Sequence, residues 1–304
     1  MSTPQQGVFV EDTPAHQHLE LVLRSDASDS EVRAAIASLL DVADAAMERD
    51  GVYVVIGVGP TLWLRLAGGA APSALRPFAP VGTAEHGAPS SQRDLWVWVH
   101  GPGPDVVFDA ARAAAGGLAP VTTVVLEQAG WLYRDSRDLT GFQDGTENPG
   151  RDEAHGVALL DDELPGAGGA HAITIRWVHD LAAWERVAVE EQEQVIGRTK
   201  PDSVALADEV RPDTAHTSRV VVEEDGEELE IYRRSIPYGS ISEHGLYFVA
   251  FSADPHRFER MLARMYGMED GIVDRLTEFS EPVSGSAWFV PSLEDLAGAA
   301  GAGQ

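Results

Sequence analysis

The sequence predicts an α+β protein built from two tandem units of one kind, and three observations carry this. Short alternating apolar stretches are interleaved with segments of helical spacing. The order strand–helix–strand, connector, strand–helix–strand occurs in the first half and again in the second. Two landmark pairs share one offset: Leu95 and Pro104 open a strand and its following helix, as Leu246 and Pro255 do, each 151 positions later. A duplication accounts for this economically. A repeated β-α-β, β-α-β unit whose antiparallel sheet is covered on one face by helices is the ferredoxin-like sandwich. The expected units are residues 1–140 and 141–304, with the 141–169 loop in the second.

In order, His18 to Arg24 alternates and reads as a strand. Ser28 to Glu48 places Val32, Ile36, Leu39, Leu40 and Ala43 at helical spacing behind a Ser/Asp cap. Val52 to Val58 is an apolar strand, Leu95 to His100 alternates, Pro104 to Ala115 is a helix with proline in its first turn, and Val121 to Leu132 is strand-like. In the second half, Ala172 to Val178 reads as a strand and Leu181 to Ile196 as one helix exposing Glu185, Glu190, Glu191 and Glu193. Val220 to Glu223, Leu229 to Ile236 and Leu246 to Ser252 read as strands and Pro255 to Tyr266 as a helix. Arg134 to Gly169 is rich in Gly, Asp and Pro, the pattern of a functional or disordered loop. The Gly/Ala-rich tail from Leu293 is expected to be a frayed end.

Composition removes several function classes. The chain carries 49 acidic and 22 basic side chains, a formal charge of −27, which repels nucleic acid and anionic membranes. With 44% hydrophobic residues it is not a wholly disordered chain. It has no cysteine, so disulfides, thiolate nucleophiles and Fe–S clusters are excluded. No apolar run reaches the ~20 residues of a membrane helix. Met1 to Thr13 shows no export signal, so a cytoplasmic protein is expected.

Chemistry must then come from oxygen and imidazole groups. Residues 141–149 read GFQDGTENP. Asp-Gly and Asn-Pro make this a turn on one reading; on the other, the glycines let backbone approach a large ligand while Asp144 projects at it. His216 lies in RPDTAHTSR, after a proline-fixed turn, where a structural histidine and a metal ligand are both open readings. In YRRSIPYG, alternation puts Arg233 and Ser235 on one face and Arg234 on the other, so one guanidinium points inward and requires an acceptor. Arg198 sits in a cationic GRTK cluster that also suits a helix C-terminus.

Taken together, GFQDGTENP, RPDTAHTSR, YRRSIPYG, GLYFVAFS, VSGSAWFVP and, in the first half, APSSQRDLWVWVHG resemble the dye-decolourising peroxidases of the B-type subgroup over nearly the whole chain. The resemblance implies two tandem ferredoxin-like units of the dimeric α+β barrel type, with haem b in the second. It implies that His216 is the proximal iron ligand and that Asp144 and Arg233 are the distal pair. Ser235 would line the same face, where many B-type relatives carry asparagine. Arg198 would meet a haem propionate, with Glu147 and Asn148 beside the propionate channel, and Asp274 would accept from the other nitrogen of His216.

The implied substrates are hydrogen peroxide and a one-electron donor such as a phenol or dye, and Glu147 with other carboxylates would suit Mn²⁺. A homo-oligomer, dimer or larger, is expected. Splitting peroxide requires moving a proton between its oxygens, which a carboxylate can shuttle, while an arginine stabilises the charge on the leaving oxygen. Electrons from bulky donors would enter through rings such as Trp131, Tyr133, Trp177 or Tyr247, each of which also reads as an ordinary core aromatic. Two other readings remain: a haem-processing, iron-releasing or haem-carrier protein, and a non-catalytic binding or assembly protein in which Asp144 and Arg233 are turn and salt-bridge residues.

Overall fold

The computed structural model describes residues 2–67, 71–83 and 86–301. Strand β1 (Ala15–Leu23) leads into helix α1 (Asp29–Asp50). At the start of α1 the Ser28 side chain accepts the Glu31 amide while the Glu31 carboxylate accepts the Ser28 amide; the helix stops at Gly51 in the left-handed region. Then come β2 (Tyr53–Val58), α2 (Pro60–Ala67), β3 (Leu95–Gly101), α3 (Pro104–Leu118) and β4 (Thr122–Trp131). The second half contains α4 (Arg151–Ala158), β5 (Ala170–His179), α5 (Leu181–Trp184), α6 (Val189–Ile196) and α7 (His216–Val220). It continues with β6 (Tyr232–Arg233), β7 (Ile236–Gly239), β8 (His244–Ser252), α8 (His256–Met265), β9 (Ser280–Pro282), β10 (Ser286–Val290) and α9 (Leu293–Ala299).

These strands form one antiparallel sheet in the order β6-β8-β5-β10-β2-β3-β1-β4, with β7 also on β8 and β9 on β5. Each half shows the same order, second strand, third, first, fourth. The fold is thus α+β with two ferredoxin-like repeats, as the sequence predicts. The fourth strand of each repeat meets the second strand of the other. β10 pairs with β2 at Phe289 and Val58. β4 reaches β7 at Gly130, where an added Cβ would stand 2.9 Å from the Pro237 carbonyl oxygen. The sheet therefore closes around an interior.

Alternation distributes the side chains. In β3, Leu95, Val97 and Val99 join the core under α1 and α3, whereas Trp96 and Trp98 face the closed interior. In β8, Tyr247, Val249 and Phe251 face that interior, while Leu246, Phe248 and Ala250 face α8. The first repeat fills its sheet–helix layer with Ile36, Leu39, Val107 and Leu118. In the second, the corresponding layer is hollow.

Several elements differ from expectation. The expected strand Leu229–Ile236 is broken into β6 and β7 around Arg234 and Ser235. The segment 181–196 is two helices, and Gln192 of the second donates to the carbonyls of Trp184 and Val187 at the break between them. His216 opens a short helix, with the Arg219 amide donating to the Ala215 carbonyl. The strand expected over Val220–Glu223 therefore starts only at Glu223 and forms a two-residue hairpin with Glu227–Glu228. The long loop contains α4. The tail is a helix from Leu293 to Ala299, capped by Ser292, with Leu296 fully buried; residues 302–304 lie outside the described part. No helix among the described residues is long and apolar enough to cross a membrane.

Candidate active site

The hollow layer of the second repeat is a cavity of about 1450 Å³, solvent at its mouth included. Its sheet wall carries Ile173, Ile175 and Trp177 from β5 and Leu246 and Phe248 from β8; its helical wall carries Phe258, Met261, Leu262 and Met265 from α8. A second, more polar cavity lies beyond Asp144 and Arg233, and both residues line the two chambers.

His216 lines the large cavity. Its Nδ1 lies 2.6 Å from Oδ2 of Asp274, a carboxylate with no exposed surface. Asp274 is fixed in turn: its amide donates to the Met265 carbonyl, its Oδ1 accepts the Leu276 amide at 2.9 Å, and the Arg275 amide donates to Thr214 just before α7. Nδ1 being occupied, Nε2 is the ring nitrogen left without a protein hydrogen bond among the described residues.

Asp144 and Arg233 share the cavity wall without forming an ion pair. The Asp144 amide donates to the Ser136 carbonyl, and its Oδ1 accepts the Gly145 amide at 2.7 Å. Gly145 has φ 78°, which a side chain would resist. Arg233 is held by Asn148, whose Oδ1 accepts from its backbone amide at 3.0 Å and from Nε at 3.4 Å, while Asn148 Nδ2 donates to its carbonyl. Asn148 therefore steadies Arg233 and lines the polar chamber. Ser235 likewise lines only the polar chamber, its hydroxyl buried and unpartnered.

Arg198 stands at the large cavity and pairs with Glu147. Gly197 makes this turn possible: it ends α6 at φ 92°, and a side chain there would collide with Thr217 beside His216. Nε of Arg198 is buried without a partner, and burial, with Arg233 and Arg211 nearby, works against its charged form. Arg234 does point inward, donating to the carbonyls of Val8 and Val10 beneath Trp98, so backbone oxygens meet its need for acceptors. Of the rings considered as electron relays, Trp177 and Tyr247 are buried and Trp131 is exposed. No group of three or more metal-ligating side chains occurs among the described residues, Glu147 included.

One pair was not anticipated. His179 ends β5 on the cavity-facing parity of Ile173, Ile175 and Trp177. Its Nε2 lies 3.1 Å from Asp138 and its Nδ1 2.8 Å from Ser280. Burial alone would raise Asp138, but His179 and the Thr140 amide and hydroxyl outweigh it and hold the carboxyl at about 2. The pair ties the loop bearing Asp144 to the sheet. The strand parity of His179 is readable in sequence; its partner, on a distant loop, is not.

Comparison with known proteins gives a consistent result. Residues 5–132 match the family model "Dyp-type peroxidase, N-terminal" and residues 135–295 match "Dyp-type peroxidase, C-terminal". The chain is 35% identical to the dye-decolorizing peroxidase of Mycolicibacterium paratuberculosis over 96% of its own length and 84% of the relative's. It is 37% identical to that of Rhodococcus erythropolis over 81% and 74%. Among solved structures, DyPB from Rhodococcus jostii RHA1 superposes with a TM-score of 0.91 at 37% identity, covering 96% of this chain and 97% of that one. A variant of that protein, solved in complex with heme, gives 0.90 at 36% identity over 96% and 97%.

Proposed function

The chain belongs to the Dyp-type peroxidase family, and from that premise we propose how its cavity residues divide the work. The protein is a haem peroxidase, an oxidoreductase acting on peroxide and a reductant. The iron-releasing, carrier and non-catalytic readings are not favoured, because the curated relatives are dye-decolorizing peroxidases.

The residues present fit haem. The apolar walls of the large cavity suit a macrocycle, and the buried, unpartnered Nε of Arg198 suits an anionic substituent such as a propionate. When bound, haem supplies redox-active iron that accepts oxidising equivalents from peroxide and passes them on singly. His216 would hold the iron through Nε2. Asp274, accepting from Nδ1, fixes the tautomer and makes the imidazole more basic. Arg198 and Glu147 would flank a propionate.

Elsewhere on the cavity wall, Asp144 would take a proton from peroxide and return it to the leaving oxygen. Arg233 would stabilise the charge developing there, and Asn148 orients it by the hydrogen bonds it already makes. Ser235, confined to the polar chamber, would affect solvent there more than peroxide itself. A phenol or dye is the proposed class of reductant.

The observation carrying this reading is the His216–Asp274 pair at the wall of the apolar cavity between the sheet and α8. Its test is the absorption spectrum. The wild-type protein loaded with haem b should show a Soret band that His216→Ala loses or severely weakens; an unchanged band would refute His216 as ligand. We also propose a cytoplasmic homo-oligomer without a nucleic-acid partner. The strongly acidic composition supports solubility and repels nucleic acid, and the exposed Val124, Val125, Trp131 and Leu132 at β4 favour self-association, which sedimentation would detect.

A further inference from the structure

Behind the cavity wall lies a buried acid–phenol pair that the peroxide chemistry does not use. Leu246 and Phe248 of β8 face the cavity, so Tyr247 between them faces the closed interior, one strand's thickness away. Its hydroxyl donates to Oε1 of Glu20 at 2.7 Å, and Thr174 donates to the same oxygen at 3.2 Å. Both residues have no exposed surface, and Oε2 of Glu20 has no partner. Burial pushes the Glu20 carboxyl above its ordinary range, and Arg93 acts on it only from beyond ion-pair distance. A buried carboxylate without a counter-ion is costly, and taking up a proton removes that cost.

We propose that Tyr247 and Glu20 form an internal redox site, where an oxidising equivalent generated in the cavity rests as a neutral tyrosyl radical. This rests on the haem peroxidase reading above. One electron leaves the Tyr247 ring and reduces the peroxide-oxidised cofactor by one equivalent. The phenolic proton passes along the existing hydrogen bond to Glu20, so a carboxylate and a phenol become a carboxylic acid and a phenoxyl radical, and no charge is left buried. An electron from an external reductant reverses both transfers.

The neighbouring rings are less suited. The Arg234 guanidinium lies 5.2 Å from the Trp98 ring, and its charge opposes electron loss there. The indole N–H groups of Trp96 and Trp98 do meet bases, His18 at 3.3 Å and His16 at 3.1 Å. Burial, however, holds both imidazoles neutral, His16 at about 4, so they resist taking a proton. Glu20 is the acceptor that burial favours in its protonated form.

The test is electron paramagnetic resonance of the holoenzyme, frozen rapidly after one equivalent of hydrogen peroxide without reductant. A tyrosyl signal is expected that Tyr247→Phe abolishes and Glu20→Gln strongly reduces. Its yield should fall as pH is lowered and Glu20 takes a proton beforehand. The charged or titratable groups facing or acting on the pair are His18 from β1, Arg176 from β5 and Arg93 ahead of β3. A signal unchanged in Tyr247→Phe, or absent while peroxide is still consumed, would overturn the proposal. If peroxide is not consumed at all, the peroxidase reading fails instead. Light-driven oxidation of the same preparation by an added photosensitiser then decides: a tyrosyl signal lost in Tyr247→Phe supports the pair, and one that survives overturns it.

Discussion

Asp274 commits both of its carboxylate oxygens, one to the Leu276 amide and one to His216, and has no exposed surface on which to exchange them for water. That fixes the imidazole in orientation and tautomer before any ligand arrives. Arg233 is held less tightly, by a single side chain, Asn148, and it forms no ion pair with Asp144. It is therefore free to answer charge developing in the cavity. Removing it in Arg233→Leu should slow the peroxide step by about 10²–10³-fold, roughly 3 kcal/mol, the scale for a lost charge-stabilising donor. Stopped-flow absorption of the loaded enzyme measures this, and an unchanged rate would remove Arg233 from the distal role. The His179–Asp138 pair acts one step back, anchoring the loop that carries Asp144 through a carboxylate kept ionised by its partners.

At the scale of elements, strand parity decides which residues meet the cavity. β5 and β8 are buried on both faces, so each contributes alternate residues to the cavity and to the closed interior. The last helix shows how little composition says about order. Leu293–Ala299 is rich in small residues, yet Leu296 and Ala299 enter the core of the first repeat beside Val32 and Ile36. Leu296→Ala should cost about 2–5 kcal/mol, the range for truncating a buried leucine. Thermal unfolding would show a clear drop in midpoint, whereas a surface-like change within ~0.5 kcal/mol would mean the helix is not docked.

For the whole molecule, closing the two repeats into one sheet buries an unusually polar interior. Burial lowers His16 to about 4 and His100 to about 2, the latter helped by His16 and Arg234, and it holds His18 well below its usual range. These folded values lie below the unfolded one, so the stability they represent is present above about pH 6.5 and is lost as pH falls toward 4. His16 alone accounts for roughly 3 kcal/mol of that loss. Acidification also relieves the repulsion of the −27 charge, but those surface charges are screened and most carboxylates titrate nearer pH 4. Urea unfolding should therefore show stability declining between about pH 6.5 and 4. A flat profile would mean that the interior histidines are hydrated in the native state.

The sequence by itself determined the repeat, the α+β class and the four strands of the first unit, because periodicity of 2 or 3.6 and capping residues are local quantities. The short strand β10 that completes the second unit lies in a stretch whose local pattern gave no strand. Alternation alone separated Arg233 from Arg234. What only the tertiary structure decided depends on packing between distant segments. The layer beneath α8 is hollow while its counterpart under α1 is filled. Asn148 grips Arg233, Asp138 finds His179, and the tail docks as a helix. The closed interior exists because the fourth strand of each repeat meets the second strand of the other, which no local pattern encodes. Strand periodicity fixes the face on which Glu20 and Tyr247 lie; only closure of the sheet brings those two faces together.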